Sequence, residues 1–296
     1  MKVIAPTTFA AATHLVSSNA TEIHPTWAAG TTYAKGARVD YLTHIYESLV
    51  NSNTGNTPST SPTQWLLIGP DNTHAMFDDQ VSTATTRSSP LTVVLAPGLC
   101  NSLALFGLVG QSVSITITNG TGGPTVYTKT VSLDGTFIFD WYQYFFEPYV
   151  QIPELVLVDL PPYTNARITI NLSGTGTVQV GQCTFGNQHE LGDAQYGAGI
   201  GIIDYSVKST DEFGTTTFVQ RSNSKRLTAR LMLHTSQVNR VQQVLTRLRA
   251  TPAVWLAVPG DTRYAPFSVY GFFKDFTIEV SYPTQSWCSL EVEGLI

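Results

Sequence analysis

The sequence predicts a mainly β protein, and three observations carry that expectation. Charged residues make up only 12% of the 296-residue chain while hydrophobic residues stay at 42% and aromatics reach 11%. Thr, Ser, Asn, Gln and Gly therefore supply the polarity, a composition that fits pleated, half-buried strands rather than a helical bundle. Short runs of alternating apolar and polar residues recur between clusters of turn formers. Only one stretch repeats its apolar residues at helical spacing. The length suits about two or three domains at roughly 100 to 200 residues each, enough to bury a core without disulfides.

Residues 1–25 read as a lead-in segment anchored by Val3, Ile4 and Phe9. Lys2 gives the N-terminus one positive charge, but Pro6, Thr7 and Thr8 interrupt the apolar run well short of the roughly 7 to 15 residues of a signal-peptide core. The expectation is a chain made in the cytosol. No run approaches the ~18 apolar residues of a membrane span. Residues 26–72 are dense in aromatics and turn formers: Trp27, Gly30, Tyr33, Gly36, Tyr41, Tyr46, then the polar stretch from Asn51 to Pro58, closing on Trp65. Short strands joined by tight turns fit this spacing.

Residues 75–192 hold alternating runs around Leu91 to Leu95, Ser112 to Thr118, Val126 to Leu133, Leu155 to Leu160, Ala166 to Leu172 and Thr177 to Cys183. With Gly- and Pro-rich turns between them, they predict a β-sandwich or jelly roll. Residues 196–296 differ. Leu227, Ala229, Leu231 and Leu233 alternate with Arg226, Thr228 and Arg230, which is a half-buried strand. Val238, Val241, Val244, Leu245 and Leu248 then predict a helix, with Thr235 or Ser236 as its cap and Pro252 as its stop. Strands are expected from Ala253 to Val258, from Tyr270 to Val280 with Phe272, Phe276 and Ile278 on one face, and around Cys288, Leu290 and Val292. An antiparallel sheet covered by one helix buries both.

The chemistry-bearing residues point away from catalysis. A net charge of -5 gives no field to draw a polyanion, so nucleic acid is not an expected partner. Cys100, Cys183 and Cys288 form no CxxC pair and read as buried small hydrophobes. The histidines show no zinc-ligand spacing, so neither metal nor cofactor is expected. Asp78, Asp79, Glu147, Glu154, Asp159, Asp211 and Glu212 could supply a glycosidase pair, yet nothing in the sequence sets their separation, and they read as solvated loop charges. Gly197 to Gly201 lacks the dinucleotide-binding spacing and reads as a flexible start to a strand. The chain is therefore expected not to be an enzyme. Trp141, Tyr142, Tyr144, Phe145, Phe146 and Tyr149 form a dense run that reads as core or subunit interface, a sugar site being the lesser reading. Seven basic residues lie between Arg221 and Arg249 on the polar faces of the predicted strand and helix. They make either a solvated face or an interface with an acidic neighbour, and Arg226, Arg230 and Arg240 are the assembly candidates.

Three resemblances complete the reading. Trp27, Tyr33-Ala34-Lys35-Gly36-Ala37-Arg38-Val39-Asp40-Tyr41, Tyr46-Glu47-Ser48, Pro58 and Trp65 resemble the small carbohydrate-binding module of bacterial chitinases and cellulases. The resemblance implies a three-stranded fold and, in sugar-binding members, an aromatic platform, which makes Trp27, Tyr33, Tyr41, Tyr46 and Trp65 the glycan-site candidates. The chain departs from that family after Tyr46, where Leu49, Val50 and Asn51 stand in place of the usual tryptophans. The first reading of the same five rings is the core of so small a module, a glycan contact being the lesser one. The 75–192 zone is similar to galactose-binding-like jelly rolls. The C-terminal zone, with Asp211-Glu212-Phe213-Gly214, Arg221, the helix and the closing Leu290 to Leu295, resembles virion proteins at the distal end of phage tails. Together the resemblances imply a structural protein of a phage tail tip or baseplate, made in the host cytoplasm and carried on the virion. Its expected partners are other tail proteins, copies of itself and a host-surface glycan. A carbohydrate-binding adhesin ranks second and a glycan-degrading enzyme third.

Overall fold

In the computed structural model, which describes residues 1–136, 138–258 and 266–295, one ten-stranded antiparallel sheet runs through most of the chain. Its order begins Glu154–Leu157, Ser102–Phe106, Gln182–Glu190, Lys2–Pro6 and Ala253–Leu256. It continues through Ser268–Glu279, Gln285–Gly294 and Asn223–His234, where the short strands Asp193–Ala194 and Gly199–Asp204 both attach. The lead-in expected at residues 1–25 is thus corrected: Lys2–Pro6 is a central strand, with Val3 opposite His189 on one side and Trp255 on the other. Val3 and Ile4 are fully buried. A strand covered on both faces needs no alternation, so five residues carried no periodic signal.

Alternate residues of this sheet face two different cores. On one face, Leu103, Leu105, Leu157, Cys183 and Phe185 pack against a five-stranded sheet ordered Thr125–Ser132, Ser112–Asn119, Ala166–Ser173, Leu91–Leu95, Leu15–Ser18. This is the sandwich the alternating runs predicted. Further along that face, Val3, Trp255, Leu231 and Leu290 pack beneath Val241, Leu245 and Leu248 of the helix Val238–Arg247. The sandwich and the helix-covered region therefore share one sheet, and no sheet boundary falls between residues 192 and 196.

The opposite face curls on itself. Ile4, Ala104, Phe106, Val254, Leu256 and Tyr270 form a third core. The rings of Phe106 and Tyr270 lie 5.5 Å apart, and Tyr270 Oη donates to Asp79 Oδ1 at 3.0 Å. Lys225 Nζ lies 2.7 Å from Glu154 Oε1, joining a strand near one end of the sheet to the strand at the other end. Burial raises the Glu154 pKa and Lys225 opposes it.

Local departures from the sequence reading have local causes. The helix start is capped neither by Thr235 nor by Ser236, because a 3-10 turn at Thr235–Gln237 leads directly into it. The run from Thr177 to Cys183 splits into Thr177–Val180 and Gln182–Glu190 at Gly181. A Cβ there would sit 2.6 Å from the Val81 carbonyl oxygen. A bulge between Phe273 and Asp275 shifts the face of Ser268–Glu279, so Phe273, not Phe272, joins Phe276 and Ile278 on the core. The three cysteines are free and buried. Burial pushes the Cys100 and Cys288 thiols up to about 11, so both stay protonated and pack as apolar groups.

Residues 26–72 project as an insertion between the strands Leu15–Ser18 and Thr85–Ser88. Arg38–Tyr41, His44–Ser48 and Trp65–Pro70 form the expected three-stranded sheet. The two chain segments that join it to the body are tied together. Buried Asn72 donates from Nδ2 to the carbonyls of Thr21 and Thr86 at 2.8 and 2.9 Å and accepts from Thr86 N–H at 2.9 Å. The Glu22 carboxylate accepts from the backbone N–H groups of Asn72 and Thr73 and from the Thr73 hydroxyl.

Candidate functional site

The five module rings divide by burial. Tyr33 and Trp65 are core, 8% and 2% exposed, around a fully buried Val39. Trp65 Nε1–H donates to the Asn56 carbonyl at 2.9 Å, and Tyr33 Oη accepts from Ala28 N–H at 2.8 Å. Trp27, Tyr41 and Tyr46 are half-buried at the rim. Their rings meet edge to face: Trp27 and Tyr41 at 5.4 Å and 81°, Tyr41 and Tyr46 at 6.3 Å and 69°. Edge-to-face packing covers ring faces with neighbouring edges, whereas sugar stacking needs open, roughly coplanar faces. On the strand that closes the module, Leu66, Leu67 and Ile68 are exposed instead.

The three candidate arginines do not form one patch. Arg226 and Arg230 point from the sheet face opposite the helix, because their neighbours Leu227, Ala229 and Leu231 are the residues the helix covers. Arg226 stands across from Glu293, and the Arg230 guanidinium lies 4.7 Å from the Trp287 ring centroid. Arg240 is exposed on the helix itself, on the other side of the sheet. Their common strand-and-helix polarity in the sequence hides this, since a strand and the helix covering it expose opposite sides.

The aromatic run from Trp141 to Tyr149 is not core. It forms a loop between Thr125–Ser132 and Glu154–Leu157 whose base is pinned: Gly135 N–H donates to the Val150 carbonyl at 2.8 Å, and Gln151 Nε2 donates to the Gly110 carbonyl at 2.9 Å. At its tip, Asp140 caps a helix at Trp141–Phe146 by accepting from Gln143 N–H at 2.8 Å. Every side of this helix but one residue is apolar, and a helix apolar all round is normally buried all round. Here Trp141 is 78% and Phe145 69% exposed. The rings touch mainly one another, Tyr142 and Phe146 at 4.8 Å, Tyr144 and Phe145 at 5.2 Å.

A second projection, which the alternation pattern did not reveal, is the hairpin Val207–Thr210 and Thr216–Val219. Its polar Thr, Ser and Lys residues masked it, although the turn Asp211-Glu212-Phe213-Gly214 was visible. Asp211 Oδ1 fixes that turn by accepting from Phe213 and Thr215 N–H at 3.0 and 2.7 Å. All eight strand residues are exposed, with Phe213 at 93%. Such a two-stranded hairpin has no core of its own, and isolated ones are marginal in water.

Of the carboxylates considered for hydrolysis, Asp78, Asp79, Glu154, Asp159 and Asp211 have structural partners, while Glu147 and Glu212 are exposed. Glu154 pairs with Lys225, Asp159 with Lys2 and Gln188, Asp79 with Tyr270, and Asp78 with Thr83. Hydrogen bonding to Gln188 holds the Asp159 pKa below the usual range. Among the described residues no group of three or more His, Cys, Asp or Glu is placed to hold a metal ion. No helix among them is long and apolar enough to cross a membrane. Comparisons with protein families, with curated proteins and with solved structures give no match.

Proposed function

We propose that this chain is a structural protein of a bacteriophage tail tip or baseplate that assembles with other tail proteins and with copies of itself. The observation that carries the reading is the exposed aromatic loop at residues 138–150, held out on a pinned base beside a body that already has three complete cores. Contiguous apolar surface of this size on a folded body marks an interaction site. The reading assigns no turnover to the chain. Mass spectrometry of purified phage particles tests it: the chain is expected at fixed stoichiometry in the particles, and its absence from them overturns the reading. Polysaccharide hydrolysis abolished by a single Asp or Glu substitution would overturn it too.

The adhesin reading stays second because the module projects on a tied stalk. Trp27, Tyr41 and Tyr46 are the rings at its rim, and one ring contributes only about 0.5 to 1.5 kcal/mol beyond area burial. Attachment through it would need several copies acting together. Sub-micromolar binding of a glycan by the monomeric chain would favour the adhesin.

A further inference from the structure

We propose that copies of this chain bind head to tail, the aromatic loop at residues 138–150 of one copy docking on the arginine-lined face of the Val238–Arg247 helix of the next. This rests on the assembly reading above and names the contact within it. Size is the first argument. The seven rings from Phe139 to Tyr149 are each more than half exposed. At roughly 150 to 250 Å² per aromatic side chain they offer on the order of 900 Å². That exceeds the roughly 300 to 600 Å² patch of an ordinary monomer and matches the ~800 Å² that each partner brings to a standard interface.

Charge selects the occupant. Asp134, Asp140 and Glu147 flank or lie within the loop, Glu154 at its foot being already paired with Lys225, and no Lys or Arg falls between Asp134 and Glu154. From Arg221 to Arg249 the pattern inverts, with seven basic residues and no Asp or Glu. Arg240, Arg247 and Arg249 are exposed and make no ion pair with a described residue. His189 lies in their field: burial lowers its pKa, and Arg240 and Arg247 lower it further. Guanidinium groups stack on aromatic faces, as Arg230 does on Trp287 within this chain. Aromatics and arginine are the residues that dominate interface energetics.

Geometry makes the contact head to tail. The strand Asn223–His234 carries Lys225, paired with Glu154 at the foot of the loop, and at its other end His234 leads into the turn that starts the helix. The separation from Lys225 to His234 is about 30 Å at ~3.3 Å per residue. The helix thus starts about a strand's length from the foot of the loop before running back toward Ala253; plug and socket are unlike surfaces, and a contact between unlike surfaces adds copies into a ring or a stack.

Sedimentation velocity of the full chain tests this with two double variants, Trp141→Ser/Phe145→Ser in the loop and Arg240→Glu/Arg247→Glu on the helix. The unmodified chain is expected to associate with rising concentration, and each variant to associate at least about tenfold more weakly. An equimolar mixture of the two variants is expected to form one-to-one dimers and nothing larger, because each mixed pair retains one intact plug and one intact socket. An unmodified chain that stays monomeric overturns the contact. So does undiminished association of the helix variant, which would place the loop against another surface. Loop-dependent flotation with phosphatidylcholine vesicles in place of self-association would assign the loop to lipid. If self-association fails and the chain is still found in particles, this contact falls and the assembly reading stands.

Discussion

Two parts of this molecule stand off the body, and they treat their aromatic residues in opposite ways. The 26–72 module turns two of its rings fully inward: Trp65 and Tyr33 pack on Val39, and the polar edge of each is spent on a backbone group, while Trp27, Tyr41 and Tyr46 stay half-buried at the rim. The loop at 138–150 turns its rings outward around a capped helical turn. Aromatic density alone therefore does not locate a site. What distinguishes the two is how much of each ring's surface is already used: every ring of the loop from Phe139 to Tyr149 is more than half exposed, whereas none of the module's five rings is.

The largest effect that could break this comparison is loss of the module core. Trp65→Ala should cost about 3 to 5 kcal/mol, the usual range for truncating a buried tryptophan. Because the module has its own core, hydrogen exchange should accelerate throughout residues 26–72 and remain slow in Lys2–Pro6 and Ala253–Leu256. Uniform acceleration through the ten-stranded sheet would mean that module and body unfold together.

The junction comes next. Asn72→Ala would strand the Thr86 N–H and the Thr21 and Thr86 carbonyls, a loss of about 1 to 3 kcal/mol. The module should stay folded but swing more freely, which small-angle scattering would record as a larger radius of gyration. An unchanged radius would mean that Glu22 alone holds the stalk.

A smaller effect, of opposite sign, is expected at Asp40. Its side chain is buried beside His24 and Pro25, and burial raises its pKa, with Glu22 adding to the rise and His24 opposing it. A carboxyl whose folded pKa lies above its unfolded one binds its proton more tightly in the folded state. Its contribution to stability is therefore greatest at low pH and is lost as pH rises through the folded pKa. Asp40→Asn keeps the shape without the charge, so it should stabilise the module at neutral pH, by less than the Asn72 change costs. The advantage should vanish below about pH 4, the ordinary aspartate range. A thermal-melting difference independent of pH would refute the electrostatic account.

How much of this was legible in the sequence follows from where periodicity survives. The strands Leu91–Leu95, Ser112–Asn119 and Ala166–Ser173 each bury one face, so their alternation was readable. So was the helix, whose Val241, Leu245 and Leu248 repeat on one side. Ser102–Phe106 and Lys2–Pro6 sit deep in the large sheet, the first buried at every position, and gave no alternation to read. The curl of the large sheet is held by the third core and by long-range contacts such as the ion pair of Lys225 with Glu154, whose partners lie 71 positions apart. No local pattern encodes such a pair. At the candidate site, composition identified the aromatic run but could not tell core from surface. That distinction depends on whether the rest of the chain has already filled its cores.

The smallest expected effect on stability is the one that most sharpens the comparison. Phe145 is 69% exposed and touches mainly Tyr144. Phe145→Ser should therefore change the melting temperature by no more than a typical surface substitution, within about 0.5 kcal/mol. The same change removes roughly a seventh of the exposed ring surface, so its effect should appear in association and solubility, with less aggregation on concentration. A module ring behaves in reverse, lowering stability without changing association. If Phe145→Ser destabilises the chain as a core substitution does, the loop is folded against the body in solution. The contrast between inward and outward rings would then fail at its outward member.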